Sequence, residues 1–578
     1  MNKNYPIYKT TFIDDMRALV EEAAQNFPDR IAISYKENYW DKEVRKVTFT
    51  QWRNDVRNLG TALISKGLRE EKIAIVGENS YGWCCSFFAV MAIGSVTVPV
   101  DKELPLDDID GIISTTGCKA VIFGKTSEAK IKELLQKGAL KSVEMLVSVA
   151  PENTLDTEYT GGRTVTSLAV LQNEGAEIYA NGDNSYYDYK IDVNKLASIV
   201  FTSGTTGKGK GVMLSQANIG LDMTLGMYNF DITMKTLHVL PPHHTFGSTV
   251  NYVGHLSQGC EVYISSGIKH VSDEIREQQP THLILVPAFL EVMNRKIWTT
   301  ARKSGKEGLL KVMMKVSDGL RKVGIDIRRK LFSSVLSAFG GKLELIICGG
   351  AKLDEEIIST FDSLGITILN GYGITECSPL ISANRNKYRK PGSVGTPILA
   401  CRVKIDDPDE NGEGEICVKG PNVMLGYYNN PEATAEVFDK DGFFHTGDFG
   451  RLDEEGWIYI TGRKKNLIIL SNGKNVYPEE IEADLQKVEG VCEVVVYAGE
   501  SRVQKDKKTI VAEIFPDADL LADKGIQDMQ AYFEEQVKLL NAKMPPYKAV
   551  KRVKLRDSEF QKNTSRKITR FNIDKTID

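Results

Sequence analysis

Short apolar runs alternate along the first two thirds of the chain with stretches whose apolar side chains recur every three or four positions. TFTQWRNDVRNLGTALISKGL has helical spacing and stops at a glycine, KIAIVGEN is a short apolar strand, SYGWCCSFFAVMAIG is a buried helix, and SVTVPV is another strand. The same grammar returns at CKAVIFGK, LASIVFT, THLILVPAFLEVMNRKI and KLELIICGG. Such alternation predicts parallel sheets covered by helices.

The texture changes after GRKKN, residues 462–466. VYPEEIEADLQKVEG and GIQDMQAYFEEQVKLLNAK are helical, while VCEVVVYAGE, KKTIVAEIFPD and AVKRVKLRD are strand-like. Together they predict a compact α+β unit of about a hundred residues, an ordinary domain size. The expected fold class is therefore α/β, with a large N-terminal domain of helix-covered sheets over 1–462 and a small α+β C-terminal domain over 463–578. The boundary is placed at the charged stretch Arg463, Lys464, Lys465.

Composition narrows the class. The 578 residues are 42% hydrophobic and 26% charged, the balance of a globular protein with material for more than one core. A net charge of −4 gives no general reason to expect a nucleic-acid partner, so any anion must be bound locally. The nine cysteines include the adjacent Cys84 and Cys85 but no C-x-x-C, which argues against a disulfide scaffold or a structural zinc and fits reduced thiols in a cytoplasm. The N-terminal stretch lacks the apolar core of a signal peptide, and no window approaches the roughly 20 apolar residues of a spanning helix.

One stretch raises a chemical question. TSGTTGKGKGV, Thr202 to Val212, follows the strand LASIVFT and combines glycines, hydroxyls and two lysines. Bare backbone amides converging on one concavity favour phosphate oxygens, and Lys208 and Lys210 add compact positive charge. Gly204, four further residues, Gly209 and Lys210 satisfy most of a Walker loop, but Gly211 stands where Ser or Thr would reach magnesium, and a strand-like VML follows instead of a helix. The stretch reads as a phosphate-holding hairpin between strands, with Ser215 as the N-cap of the next helix. The plainer alternative is a surface turn.

This stretch resembles the phosphate loop of the acyl-adenylate-forming (AMP-binding) enzymes, with Gly209 where a proline is usual. The resemblance implies nucleotide contacts from Thr202, Ser203, Gly204, Thr205, Thr206, Gly207 and Lys210, with Thr205 and Lys210 also acting in catalysis. Other motifs of that family arrive in order. ICGGAKL resembles its adenine-lining segment, giving Gly350 and Ala351, and NGYGITE resembles its most distinctive motif, giving Asn370, Gly371, Tyr372, Gly373, Thr375 and Glu376. There the resemblance implies that Tyr372 stacks on adenine, Thr375 faces the α-phosphate, and Glu376, with Thr202, holds Mg2+, a hard cation suited to hard oxygens. FFHTGDFG supplies Asp448 for the ribose hydroxyls, and GWIYITGRKKN supplies Ile460 and Arg463 as further nucleotide contacts. LPPHHTFG resembles the entrance of the acyl pocket, with His244 flanking the substrate carboxylate and His243 as the competing choice. SEFQKNTSRKITR places the catalytic lysine at Lys567, with Arg566 where a glycine is commoner; the alternative is a basic tail.

The implied activity is ATP-dependent conversion of a carboxylic acid to acyl-AMP and transfer to coenzyme A, with ATP, Mg2+ and coenzyme A as the molecules required. The resemblance further implies a mobile C-terminal domain that swings about a hinge at Lys465 and exchanges Lys567 for the loop SNGKNVYPEE, where Gly473 lets the pantetheine arm pass close to backbone. An insertion at 299–339 resembles that of long-chain fatty acyl-CoA synthetases, which makes a fatty acid the expected substrate. Acyl transfer to a carrier protein is the alternative, and a non-catalytic nucleotide- or lipid-binding protein is a third reading that the intact motif residues argue against. Within the insertion, Leu309, Met313, Val316, Leu320 and Val323 fall at spacings of four and three, marking an amphipathic helix. Residues 301–335 carry ten Lys or Arg against three Asp or Glu. Such a stretch either contacts an anionic lipid surface as a peripheral anchor or is a solvated face over the core.

Overall fold

The structure is a computed structural model and describes residues 8, 10–150, 160–202, 209–232, 234–470, 475–500, 509–562, 568–570 and 573–577. Its contacts divide the chain into two compact units, Met1–Arg402 with Val418–Phe444, and Val403–Cys417 with His445–Asp578.

The first unit is built on two large sheets. One has eight strands, in the order Gly426–Tyr427, Lys210–Ser215, Leu196–Thr202, Val96–Val100, Lys72–Val76, Ala120–Phe123, Met145–Ser148 and Thr164–Ser167. Its strands run parallel from Leu196–Thr202 outward to Thr164–Ser167, and the two at the other end are antiparallel. The other has nine strands and a parallel centre, Thr367–Gly373, Leu345–Cys348, His282–Leu285, Lys235–His238, Glu261–Ile264 and Ile31–Tyr35. Both match the alternation read from the sequence.

Local chemistry explains where the helices start. Thr48 and Ser215 each cap a helix with a reciprocal box, Thr48 with Gln51 and Ser215 with Asn218, so the orphan amides of the first turn are satisfied. The helix Tyr81–Ala92 is buried at all but its first residue, as its apolar composition required, and packs Trp83, Phe87 and Phe88 into the core. Within the insertion the expected helix spans Glu307–Lys322 and buries Leu310, Met314 and Ser317; of the apolar stripe read from the sequence, Met313 packs against that core while Leu309, Val316 and Val323 are exposed.

The second unit contains a four-stranded sheet, Arg402–Asp406, Gly414–Lys419, Phe444–Leu452 and Ile458–Arg463, and a three-stranded sheet, Val491–Gly499, Thr509–Pro516 and Arg552–Leu555. The helices Pro478–Leu485 and Met529–Asn541 pack on the latter through Ile481, Leu485, Phe533 and Val537. Among the described residues, no helix is long and apolar enough to cross a membrane.

Candidate active site

The hairpin expected around the glycine-rich stretch has its two arms in place. Thr202 pairs with Lys210 at the end of antiparallel strands, and the Thr202 hydroxyl donates to the Lys210 carbonyl at 3.4 Å. Ser203, Gly204, Thr205, Thr206, Gly207 and Lys208 lie outside the described residues, as do Gly473 and Lys567.

Lys210 leads to a residue the motif reading missed. The short strand Gly426–Tyr427 pairs with the second arm of the hairpin, setting Tyr427 opposite Val212, and the Lys210 ammonium lies 4.7 Å from the centre of the Tyr427 ring. The Tyr427 hydroxyl donates to Glu376 Oε1 at 3.0 Å. One tyrosine thus holds the hairpin lysine by its face and the NGYGITE carboxylate by its hydroxyl. Burial, then the Glu376 charge, pushes the Tyr427 phenol far above its usual range, so it stays a donor.

Glu376 is fixed from behind as well. Its carbonyl accepts from Met424 N at 2.8 Å, and the turn after it is locked by a buried polar cluster. Asp222, fully buried, accepts from Leu380 N at 3.1 and 3.2 Å. Asn422 Nδ2 donates to the carbonyls of Leu380 and Cys377 at 2.6 and 3.2 Å, and Ser378 Oγ donates to the Asn422 carbonyl at 2.8 Å. Desolvation drives the Asp222 carboxyl well above the ordinary carboxylate range, against the two hydrogen bonds that favour its charge. Gly373 is required here, because a Cβ at that position would lie 2.1 Å from the Pro379 carbonyl oxygen.

Asn370, Gly371, Tyr372 and Gly373 form the C-terminal end of the strand Thr367–Gly373, with Thr375 and Glu376 in the turn that follows. Tyr372 is buried, while Thr375 and Glu376 are half-exposed. Gly350 and Ala351 follow the neighbouring parallel strand Leu345–Cys348 and are exposed, Gly350 with φ +88°. The C-terminal ends of adjacent parallel strands are where α/β sheets bind ligands. The Glu376 carboxylate and the Thr202 hydroxyl are hard oxygen donors of the kind Mg2+ takes.

The two adjacent histidines differ. His243 is buried, 3.5 Å from Asp101 Oδ2, and burial followed by the Lys102 charge pushes its pKa down to about 4. At that separation the contact is long for a hydrogen bond, and the ring is neutral at pH 7. His244 is half-exposed, with its ring 4.2 Å from that of His243. The nine-residue π-helical segment Phe246–Gly254 follows them, its first amides anchored on the His244 carbonyl.

In the second unit Asp448 and Arg463 face each other across antiparallel strands, joined by Arg463 Nε to Asp448 Oδ1 at 2.9 Å. Asp448 is 3% exposed, whereas Arg463 and Lys465 are exposed and Ile460 is half-buried. The turn before Asp448 is shaped by Glu415, a second residue the sequence reading passed over. Glu415 Oε1 accepts from Gly447 N at 3.1 Å, and Oε2 pairs with His445 Nδ1 at 3.1 Å and Lys464 Nζ at 2.6 Å. Burial would raise the Glu415 carboxyl, but Lys464 and His445 hold it below its usual range. Gly447 has φ +71°, and Thr446 Oγ1 donates to the Ile416 carbonyl at 2.7 Å.

Comparison with known proteins places this arrangement. The long-chain-fatty-acid-CoA ligase 1 of Cavia porcellus is 30% identical over 492 residues, 80% of this chain and 68% of that protein. The long-chain-fatty-acid-[acyl-carrier-protein] ligase AEE15 of Arabidopsis thaliana is 27% identical over 86% of this chain and 75% of its own length. Among solved structures, ATP-bound MatB from Rhodopseudomonas palustris shares the fold at a TM-score of 0.73 and 23% identity, with 96% of this chain and 97% of that one covered. Residues 20–428, which include the glycine-rich hairpin, the Glu376 turn and Tyr427, match the family described as AMP-binding enzyme, and the chain belongs to that family.

Proposed function

We propose that the chain activates a long-chain fatty acid with ATP and transfers the acyl group to coenzyme A. The observation that carries this reading is the convergence of Lys210 and Glu376 on Tyr427 beside the glycine-rich hairpin, in a chain similar to long-chain-fatty-acid-CoA ligases.

A carboxylate cannot acylate a thiol directly, because its leaving group would be oxide. One carboxylate oxygen attacks the α-phosphorus of ATP, the bond from that phosphorus to the bridging oxygen breaks, and pyrophosphate leaves with the electron pair. Two anions meet in this step, so fixed cations and donors contribute most of the stabilisation. Lys210 supplies charge at the hairpin, and Tyr427 holds its ammonium over the ring face while donating to Glu376. Glu376 and Thr202 would hold Mg2+, which when bound neutralises phosphate charge. Thr375 and the hairpin amides donate to phosphate, Tyr372 and the 350–351 segment receive the adenine, and His244 flanks the acid. Asp448 and Arg463 take the ribose, Asp448 as acceptor and Arg463 as donor.

In the second step the coenzyme A sulfur attacks the acyl carbon and AMP leaves. Lys567 serves the first step, and a hinge at Lys465 replaces it by the 471–480 segment, with Gly473 beside the pantetheine arm. The division of labour between a domain over 1–462 and one over 463–578 is part of this proposal. The test is acid-dependent exchange of labelled pyrophosphate into ATP across a panel of fatty acids from short to long, followed by thioester formation with coenzyme A or acyl carrier protein. Exchange that peaks with long chains and thioester on coenzyme A are expected. No exchange with any fatty acid overturns the activity, and a preference for carrier protein, as in the name of the Arabidopsis relative, moves the acceptor.

A further inference from the structure

The helix Glu307–Lys322 carries apolar residues beyond those that the core takes. Leu310 and Met314 are buried in the cluster that includes Phe332 and Phe361, on the nine-stranded-sheet side of the first unit, with Met313 packed against it and Ser317 also buried. Leu309, Val312 and Val316, at i, i+3 and i+7, line a second face and are 56%, 58% and 55% exposed. Val323 and Ile325, just past the helix end, are 72% and 50% exposed. Five of the sixteen exposed large apolar side chains among the described residues therefore fall between 309 and 325. Scattered exposed apolar residues need no explanation, but three on one helix face, with two more within three residues of its end, do.

Charge identifies the occupant. At 100° per residue the exposed Lys311, Lys315 and Lys322 form one row on the flank of the apolar stripe. Lys311 is paired with Glu307 at 2.8 Å, whereas no carboxylate among the described residues lies within 4.0 Å of Lys315 or Lys322. Lys303 and Lys306, both exposed, extend the positive charge at the N-terminal side, where Arg302 is paired with Glu307 at 3.1 Å. Residues 301–335 as a whole exceed neutrality by seven positive charges in a chain whose net charge is −4. An apolar stripe edged by lysines, on a helix whose opposite side is anchored in a core, is the arrangement that lies flat in the headgroup region of an anionic bilayer.

We infer that the exposed face of Glu307–Lys322, with Val323 and Ile325, seats the protein on the surface of an anionic membrane, the apolar stripe entering the acyl boundary and Lys315 and Lys322 meeting lipid phosphates. This docking is independent of which acid is activated.

The test is sedimentation of the full chain with vesicles of phosphatidylcholine alone or with about a third phosphatidylglycerol. Binding to the anionic vesicles, weakened by salt, is expected. Leu309→Asp/Val316→Asp should lower partitioning at least about tenfold, since it places two charges in the apolar boundary. Lys315→Glu/Lys322→Glu should abolish the preference for anionic vesicles. Val170→Asp, at an exposed apolar position of another helix, should bind like the unaltered chain, and thermal melts check that each variant is folded. The inference is overturned if the unaltered chain stays in the supernatant with both vesicles, or if Leu309→Asp/Val316→Asp binds undiminished. It is equally overturned if, without lipid, the unaltered chain is a dimer that this pair of substitutions converts to monomer, for then a second copy covers the face.

Discussion

Tyr427 is the sharpest point at which to perturb the site. Tyr427→Phe removes the hydroxyl that reaches Glu376 Oε1 at 3.0 Å and keeps the ring 4.7 Å from the Lys210 ammonium. A hydrogen bond to a charged group is worth about 1.5–3 kcal/mol. If that energy serves to hold the carboxylate in its reactive position, adenylation slows by about 10- to 100-fold, at roughly 1.4 kcal/mol per decade. Tyr427→Leu also removes the aromatic face under Lys210, which adds about 0.5–2 kcal/mol. The assay is pyrophosphate exchange as a function of Mg2+ concentration, with thermal melting alongside. Tyr427→Phe should lower kcat and raise the Mg2+ concentration for half-maximal rate with little change in Tm, and Tyr427→Leu should lower kcat further. A Tyr427→Phe enzyme within twofold of the parent in both kcat and Mg2+ requirement would refute the reasoning, as would a loss of Tm that accounts for the loss of rate.

Other predictions test the frame around it. Lys567→Ala should abolish pyrophosphate exchange yet leave thioester formation from supplied acyl-AMP largely intact; equal loss of both half-reactions would show that the catalytic lysine lies elsewhere. Gly373→Ala forces a Cβ to within 2.1 Å of the Pro379 carbonyl and should reduce exchange activity and Tm together, which a melt and one rate measurement decide. Asp222 has its pKa raised in the folded state, so it destabilises the fold at pH values above its unfolded pKa; Asp222→Asn should therefore raise Tm more at pH 8 than at pH 5, whereas Asp222→Ala should cost about 1–3 kcal/mol by leaving Leu380 N unpaired. Burial pushes His238, His243 and His255 down to about 3, 4 and 4 from 6.5, so the unfolded chain binds more protons across the window from about 6.5 to 4. Stability should fall with acidification there by about 1.4 kcal/mol per group per pH unit, and a flat denaturant midpoint from pH 7 to 5 would contradict it.

What the sequence disclosed and what it withheld follow from how each feature is encoded. The parallel sheets were legible because an apolar run such as KIAIVGEN or SVTVPV has no alternative to burial on both faces, and each appears as a strand, Lys72–Val76 and Val96–Val100. The hairpin arms were legible for the same reason on either side of the glycines. Tyr427, Glu415 and Asn422 were not, because a residue that acts through one remote partner leaves no periodic trace; Tyr427 is 51 positions from Glu376, and its neighbour Tyr428 looks the same in sequence. Asp222 did leave a signal. It is a carboxylate inside QANIGLDMTLGM, a helix otherwise nearly free of charge, and a carboxylate with no water around it needs donors from elsewhere in the chain.

The helix Glu307–Lys322 shows the converse limit. Its sequence has apolar residues at both Leu309, Met313, Val316 and Leu310, Met314, so spacing alone selects a helix without selecting which stripe the core takes. Packing resolved the choice toward 310 and 314, since those positions meet Leu336 and Phe361 in one cluster while the lysines stay in water. The stripe left outside cannot be a by-product of core formation, because the core was already satisfied by the other face. Leaving Leu309, Val312 and Val316 in water costs the free energy that burial would return, about 1.5–3 kcal/mol for each side chain fully covered. A surface that recovers that energy only in contact with something apolar, beside Lys315 and Lys322, which have no carboxylate within 4.0 Å among the described residues, is matched to a lipid boundary and poorly matched to solvent.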